Sequence, residues 1–207
     1  MEIEKEYKGL ITESEYQRLL DKYSPKAVQQ CNYYYDTLDF DLHEKGSTLR
    51  LREKNDEWEL TYKTDVSREN NVAVKQEYTQ KLLRKPNLYK IIFLTNILHN
   101  CGADEFLKTV LTDVSVEKLR AIGCLVTERS KIDVGGQRFI ELDKSIYLNF
   151  TDYEIEFEYT GESDLNALQD FLKENQITTL QSGGKYMRFI ERYHNYWKIA
   201  RLINYKT

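Results

Sequence analysis

Carboxylates stand at every second position of the opening segment, M-E-I-E-K-E-Y-K, where Glu2, Glu4 and Glu6 lead to Lys8. Side chains along a strand alternate with a period of two, so these four charged groups share one face while Ile3 and Tyr7 share the other. Hard carboxylate oxygens are the donors a divalent cation needs, and an ammonium beside them suits a phosphate ligand of that cation. Taken alone, one such run is more simply a half-buried strand with a wetted charged face. The pattern returns, however, in D-Y-E-I-E-F-E-Y, where Glu154, Glu156 and Glu158 alternate with Tyr153, Ile155, Phe157 and Tyr159. Complementary cations lie between the two acidic runs. Arg50, Arg52 and Lys54 alternate with Leu49 and Leu51; Glu59, Thr61 and Lys63 with Trp58, Leu60 and Tyr62; Lys75, Glu77 and Thr79 share one side of their segment, as do Thr127, Arg129 and Lys131 of theirs.

These residues need strands to carry them and helices to cover the strands' apolar sides. Thr12-Glu13-Ser14-Glu15 is a capping box that starts an amphipathic helix over Glu13–Tyr23, with Tyr16, Leu19, Leu20 and Tyr23 in its stripe and Pro25 beyond its end. Strands are predicted at 30–37, 48–54, 57–64 and 72–81, with Asn55-Asp56 as a turn signal. A helical insert is predicted over about 86–121. Pro86 starts an apolar helix through Leu88, Ile91, Ile92, Leu94, Ile97 and Leu98, and shorter helices follow over 103–110 and 115–121, the last with Ser115 as N-cap. Strands return at 126–134 and 138–143, joined by Gly135-Gly136, and at 152–159. Ser163 or Asp164 caps a helix carrying Leu165, Leu168, Phe171 and Leu172, and a C-terminal helix runs from Lys185 to about Leu202. Antiparallel strands in sequence with helices set apart from them make an α+β chain.

The chain has 207 residues, enough for one domain with its own core. Its formal net charge of −4 argues against a general nucleic-acid binder, which needs a basic surface to meet the phosphate backbone. Cys31, Cys101 and Cys124 are odd in number and in no CxxC spacing, so they read as reduced thiols. The opening segment lacks the basic stretch and apolar run of a leader, and no apolar run reaches the roughly 20 residues of a membrane span. A cytoplasmic protein with no membrane partner is therefore expected. No Ser-His-Asp set, P-loop or dinucleotide fingerprint competes, and His43, His99 and His194 have no metal-ligand spacing.

A sheet covers only one face with helices unless it closes. Curled into a barrel with its helices outside, the sheet turns its charged faces inward. Glu4, Glu6, Glu59, Glu77, Glu154 and Glu156, with Asp143 as a further candidate, then meet Lys8, Arg50, Arg52, Lys63, Lys75, Arg129 and Lys131. Charge at that density is too costly to bury alone and calls for mutual pairing, water, metal ions or an anionic ligand. A flat open sheet with one wet face satisfies the same periodicity, which leaves both architectures open.

Glu4-Lys5-Glu6-Tyr7-Lys8, Tyr34-Tyr35-Asp36-Thr37, Leu49-Arg50-Leu51-Arg52 and Leu60-Thr61-Tyr62-Lys63 follow one another in the order of the ExExK, Y-[YF]-D-T, L-R-x-R and L-T-x-K elements of the CYTH superfamily. The chain resembles this superfamily of triphosphate tunnel metalloenzymes, and within it a small bacterial branch, as far as about residue 188. Glu77, Arg129, Asp143 and Glu154-Ile155-Glu156 also stand like family residues, and Lys185 and Arg188 like its late basic residues.

The resemblance implies a single CYTH-like domain over 1–207, folded as a closed eight-stranded antiparallel β-barrel, or tunnel, with helices packed on the outside. It implies Mg2+ or Mn2+ as cofactor, held by Glu4, Glu6, Glu154 and Glu156. A small-molecule triphosphate is then bound by Lys8, Arg50, Arg52, Lys63, Lys75, Arg129, Lys131 and Lys185 and hydrolysed with Lys63 and Glu77 as catalytic candidates. Glu77 either orients the attacking water or serves as the ion-pair partner of an arginine. Lys75 stands where many members have arginine, and the second acidic pair reads as Glu154/Glu156 or as Glu156/Glu158. Two other activities stay open: a class IV-type adenylate cyclase making cyclic AMP and pyrophosphate from ATP, and a non-catalytic nucleotide or polyphosphate sensor. A monomer or homodimer is expected.

Overall fold

The computed structural model describes residues 2–69, 72–86, 94, 101–181 and 183–204. Of these, residues 2–4, 65–69, 72–75 and 196–204 are described by their backbone alone. The apolar helix expected through Leu88 and Leu98, with His99, lies outside the described residues except for Leu94, and so do the side chains of Glu4 and Lys75. The chain divides into two units, Met1–Lys5 with Val28–Val126, and Glu6–Ala27 with Thr127–Thr207.

The single first strand expected from the sequence is two strands, β1 (Glu2–Glu4) and β2 (Glu6–Ile11), separated at Lys5. The first unit contains β1, then β3 (Ala27–Asp36), β4 (Ser47–Lys54), β5 (Glu57–Glu69) and β6 (Val72–Lys81). They lie in the hydrogen-bonded order β1-β6-β5-β4-β3, all antiparallel where the register is described, and β3 is followed by a longer strand, β7 (Arg120–Asp133). Leu49, Leu51, Trp58 and Leu60 turn their common face to a core that also holds Leu107 and Leu119. Each fully buried leucine contributes roughly 1.5–3 kcal/mol, several times a residue's local conformational preference, so the register follows the apolar face.

That balance explains two departures from expectation. Strand β7 begins at Arg120, six residues before the predicted start, and the helix predicted over 115–121 reduces to a 3-10 turn at Val116–Lys118 with no side-chain cap from Ser115. The burial of Leu119 and the pairing of the following residues outweigh the local helix signals. The turn from β3 to β4 is built on Asp36, which is fully buried. Its Oδ1 accepts hydrogen bonds from the backbone N–H groups of Thr37 (2.7 Å) and Leu42 (2.9 Å), and its Oδ2 accepts one from His43 (3.0 Å). These bonds fix the short helix α2 (Asp41–Glu44), which follows helix α1 (Glu13–Tyr23) in the chain. A further helix, α3 (Asp104–Val110), also lies in the first unit.

In the second unit the latter part of β7 neighbours β8 (Phe139–Tyr147), which pairs with β9 (Phe150–Glu158), which pairs with β2. Helix α1 spans Glu13–Tyr23 with the predicted capping box, Glu15 N–H to Thr12 Oγ1 at 3.2 Å and Thr12 N–H to Glu15 Oε2 at 2.8 Å, and ends at Ser24 in a left-handed conformation before Pro25. Helices α4 (Glu162–Glu174) and α5 (Lys185–Asn204) follow β9. Leu19 and Leu168 cover Ile140, Leu142, Ile155 and Phe157. The N-cap of α4 is Gly161 in place of Ser163 or Asp164; Asp164 instead accepts from the Thr160 N–H and hydroxyl, both at 2.8 Å, and so braces the entry to the helix. Strands β8 and β9 are longer than predicted and joined by the two-residue turn Leu148-Asn149, both at positive φ.

The loop before α5 is tied to the sheet by a two-way bridge, with Leu10 and Leu180 each donating N–H to the other's carbonyl at 2.9 Å. Among the described residues the hydrogen-bonded order ends at β1 on one side and β2 on the other, so closure of the sheet is not among the described pairings. No described helix is long and apolar enough to cross a membrane.

Candidate active site

Register brings the carboxylates of the second unit together. In β8 and β9, Glu141 is opposite Glu156 and Asp143 opposite Glu154; in β2 and β9, Lys8 is opposite Glu156 and Glu6 opposite Glu158. Directly opposed residues share a face, so the acidic side of β9 meets Glu141, Asp143, Lys8 and Glu6. Asp143, Glu154 and Glu156 are 0%, 1% and 4% exposed, and each offers an oxygen within 4.8 Å of the others. Glu158 is exposed at the end of its strand, so the geometry selects Glu154/Glu156 as the gathered pair.

Burial at this cost requires cations, and four supply them. Lys185, the first residue of α5, lies 2.7 Å from Asp143 Oδ2 and 2.6 Å from Glu156 Oε1 and also contacts Glu154. Arg129 forks onto Asp143 through Nε (2.8 Å) and Nη2 (2.6 Å), reaches Glu156 Oε2 at 2.5 Å, and pairs with Glu141. Lys8 bridges Glu6 (2.7 Å) and Glu156 (3.1 Å). Arg188 spans Asp152 (2.8 Å) and Glu154 (2.5 Å), while its Nη1 donates to the Gly183 carbonyl at 2.6 Å.

The titration of these groups follows from burial and neighbours. Burial acts against the charge of Glu156, but Lys185, Lys8 and Arg129 outweigh it and hold its carboxyl well below the usual range. Burial pushes Glu154 up, with Glu156 adding to the effect. Glu6 is raised to about 7 by burial and by Glu156. Burial opposes the charges of Lys8 and Lys185, yet the carboxylates around them raise both.

The first unit carries a second polar cluster. Arg52 Nε donates to Asn32 Oδ1 at 2.8 Å, and both Arg52 and Arg50 approach Glu59, at 3.4 and 3.7 Å. Lys63 is opposite Glu77 in the β5–β6 ladder and pairs with it, and Thr79 donates to the same carboxylate at 3.2 Å. Burial works against the Glu77 charge, but Lys63 and then Arg50 hold its carboxyl below the usual range. Here Glu77 is seated as the partner of a lysine, where the sequence left an arginine or a water open.

The structure therefore gathers Lys8, Glu6, Arg129, Glu154, Glu156 and Lys185 in one unit and Arg50, Arg52, Lys63 and Glu77 in the other. Lys131 is 55% accessible and meets the cluster at its rim, through Glu141 at 2.9 Å. Glu141 belongs to the cluster without having been a candidate, and Arg188 joins it as one of the late basic residues that the resemblance named. The signal for Glu141 is its place two residues before Asp143, on the same face of a strand. Asp143, a candidate for the inward face that also stands like a family residue, joins the two glutamates, and Glu6 lies beside them through Lys8.

A group made only of carboxylate oxygens suits a hard divalent cation, and Asp143, Glu154 and Glu156 offer such a set at the right mutual separation. The residues present fit a hard divalent cation.

The chain resembles known proteins over nearly its whole length. The chain is 28% identical over 194 residues to the Bacillus subtilis protein named "Putative triphosphatase YjbK", covering 92% of this chain and 95% of that one. A solved structure from Bacillus halodurans, described as a putative adenylate cyclase, is 29% identical with a TM-score of 0.70 and coverage of 91% and 97%. HpAC1 from Hippeastrum, described as a putative adenylyl cyclase with a dominant triphosphatase activity, is 25% identical with a TM-score of 0.74 and coverage of 92% and 96%. The model of the CYTH domain matches residues 2–190, nearly the whole chain, and the chain belongs to the CYTH domain family.

Proposed function

We propose that this protein is a metal-dependent triphosphatase, hydrolysing tripolyphosphate or a nucleoside or organic triphosphate to release orthophosphate. The observation that carries the reading is the buried group Asp143, Glu154 and Glu156, ringed by Lys8, Arg129, Lys185 and Arg188. Acids alone would suit a structural cation, and bases alone an anion. Both together at one place suit a cation and a polyanion at once.

In this reading Asp143, Glu154 and Glu156 hold Mg2+ or Mn2+, with Glu6 beside Glu156 as a further donor and Glu4 as the family signature assigns it. Such a cation supplies charge neutralisation at phosphate oxygens and lowers the pKa of a water molecule. Arg129 and Lys8 bind phosphate oxygens in the second unit, and Arg50, Arg52 and Lys63 do so in the first, with guanidinium forks orienting and ammonium groups offsetting charge. Lys131 has the lesser claim, since it is exposed, and Lys75 is assigned as the family resemblance implies. Glu77 holds Lys63 in position through their ion pair; Lys63 is the residue of that pair that touches substrate. The finer expectation of an eight-stranded barrel belongs to this proposal too. Its support is that Lys5 alone separates β1, on β6, from β2, on β9.

The test is incubation with tripolyphosphate and with ATP, each with Mg2+, Mn2+ or EDTA. Orthophosphate from tripolyphosphate that disappears with EDTA is the expected result. Cyclic AMP and pyrophosphate from ATP would assign the cyclase activity instead, and tight binding without turnover would assign a sensor.

A further inference from the structure

A single ammonium touches every member of the carboxylate group. Lys185 Nζ is 2.7 Å from Asp143 and 2.6 Å from Glu156 and in contact with Glu154, and an ammonium has three hydrogens to give. Arg129 reaches only Asp143 and Glu156 of the three, Lys8 only Glu156, and Arg188 only Glu154 among the described contacts. A metal held by the same three oxygens needs the space that this ammonium fills. Two cations at contact in a buried site also repel one another strongly.

We infer that Lys185 is an exchangeable internal cation: it neutralises Asp143, Glu154 and Glu156 in the metal-free protein and must leave them for a metal to bind. The inference rests on the proposed reading of those carboxylates as the metal site. The local structure suits such an exchange. Lys185 opens α5 directly after Gly183-Gly184, a Cβ on Gly184 would meet nothing within 4 Å, and the lysine stem is a flexible four-carbon arm. Arg188, one turn on, stays anchored to Asp152 and to the Gly183 carbonyl, so the ammonium can move without undocking the helix. Once displaced, the same ammonium is free to meet phosphate oxygens, which links the arrival of metal to the arrival of substrate.

The consequence is that the lysine lowers metal affinity. Mn2+ binding to the full-length protein, read from the loss of the free-ion paramagnetic resonance signal, tests this in the wild type and in Lys185→Met. Lys185→Gln, which keeps hydrogen-bond donors and loses the charge, serves if the methionine variant does not fold. The expected result is binding tighter by about tenfold or more in the variant, since a unit charge at contact is worth at least that. Mn2+ should also raise the melting temperature of the variant more than that of the wild type. Adding Asp143→Asn to the variant should remove the gain. Equal or weaker Mn2+ binding in the variant overturns the exchange while leaving the metal site in place. Absence of binding in both proteins overturns the exchange together with the metal assignment.

Discussion

Gly9 in β2 faces Thr179 so closely that a Cβ on the glycine would stand 2.5 Å from the threonine Cβ and 2.7 Å from its Cγ2. The contact is one residue from the Leu10–Leu180 bridge, and together they hold the segment that leads into Lys185. The threonine Cβ is attached directly to backbone and cannot swing aside. Gly9→Ala should therefore cost about 1–3 kcal/mol by overpacking, and Thr179→Gly in the same protein should recover much of it. Urea denaturation of the three proteins decides this; an unchanged midpoint in Gly9→Ala would mean the segment does not lie against β2.

Glu156 and Glu158 are two residues apart on one face of β9 and differ in everything else. Glu156 is buried and pairs with Lys8, Arg129 and Lys185, whereas Glu158 is exposed. Removing one partner of a buried ion network costs about 3–5 kcal/mol, because it strands the others. Glu156→Gln should thus lose stability on that scale and lose turnover as well. Glu158→Gln should stay within about 0.5 kcal/mol of wild type with its activity kept. The reverse pattern would restore Glu156/Glu158 as the working pair.

Glu77 is held below its ordinary value by Lys63 and Arg50 against the effect of burial. Between its depressed native value and the unfolded value of 4.5 it binds fewer protons in the folded state, so its contribution is present above 4.5 and is lost as pH falls through the native value. The stability gap between wild type and Glu77→Gln should accordingly narrow as pH is lowered from neutrality to about 3. Thermal melts across that range measure it, and a gap that widens in acid would contradict the pairing.

Asp36 sits in the Y-Y-D-T motif, yet its carboxylate is spent on the backbone N–H groups of Thr37, Leu42 and His43. Its work is to fold the turn into β4, the strand that carries Arg50 and Arg52. Asp36→Ala leaves three donors without this acceptor and should cost about 3 kcal/mol, with Asp36→Asn costing less. Loss of activity at unchanged stability would instead make Asp36 part of the chemistry.

Much of the candidate site was legible because strand periodicity and local capping are written in neighbouring residues. Thr12 and Glu15 satisfy each other's backbone within four residues, so α1 begins where the sequence predicts. Arg50 and Arg52 share one side of β4 for the same reason, since alternation is a property of the strand itself. Other features had no local signal. Leu148-Asn149 closes a hairpin although leucine has no preference for positive φ; the pairing of Tyr147 with Phe150 imposes it. The start of β7 at Arg120 likewise depends on a neighbouring strand and on the burial of Leu119.

By itself, then, the sequence determined the alternating charged faces, the capped first helix and the order of the family motifs, all set by spacing along one segment. Only the tertiary structure decided that Asp143 completes the group with Glu154 and Glu156, that Glu158 stays outside it, and that Lys185 reaches its centre. Those outcomes depend on which residue of β8 lies opposite which residue of β9 and on where the bridge at Leu180 delivers the start of α5. Register between distant segments is chosen by the burial of whole apolar faces, a sum over many residues that no single stretch contains.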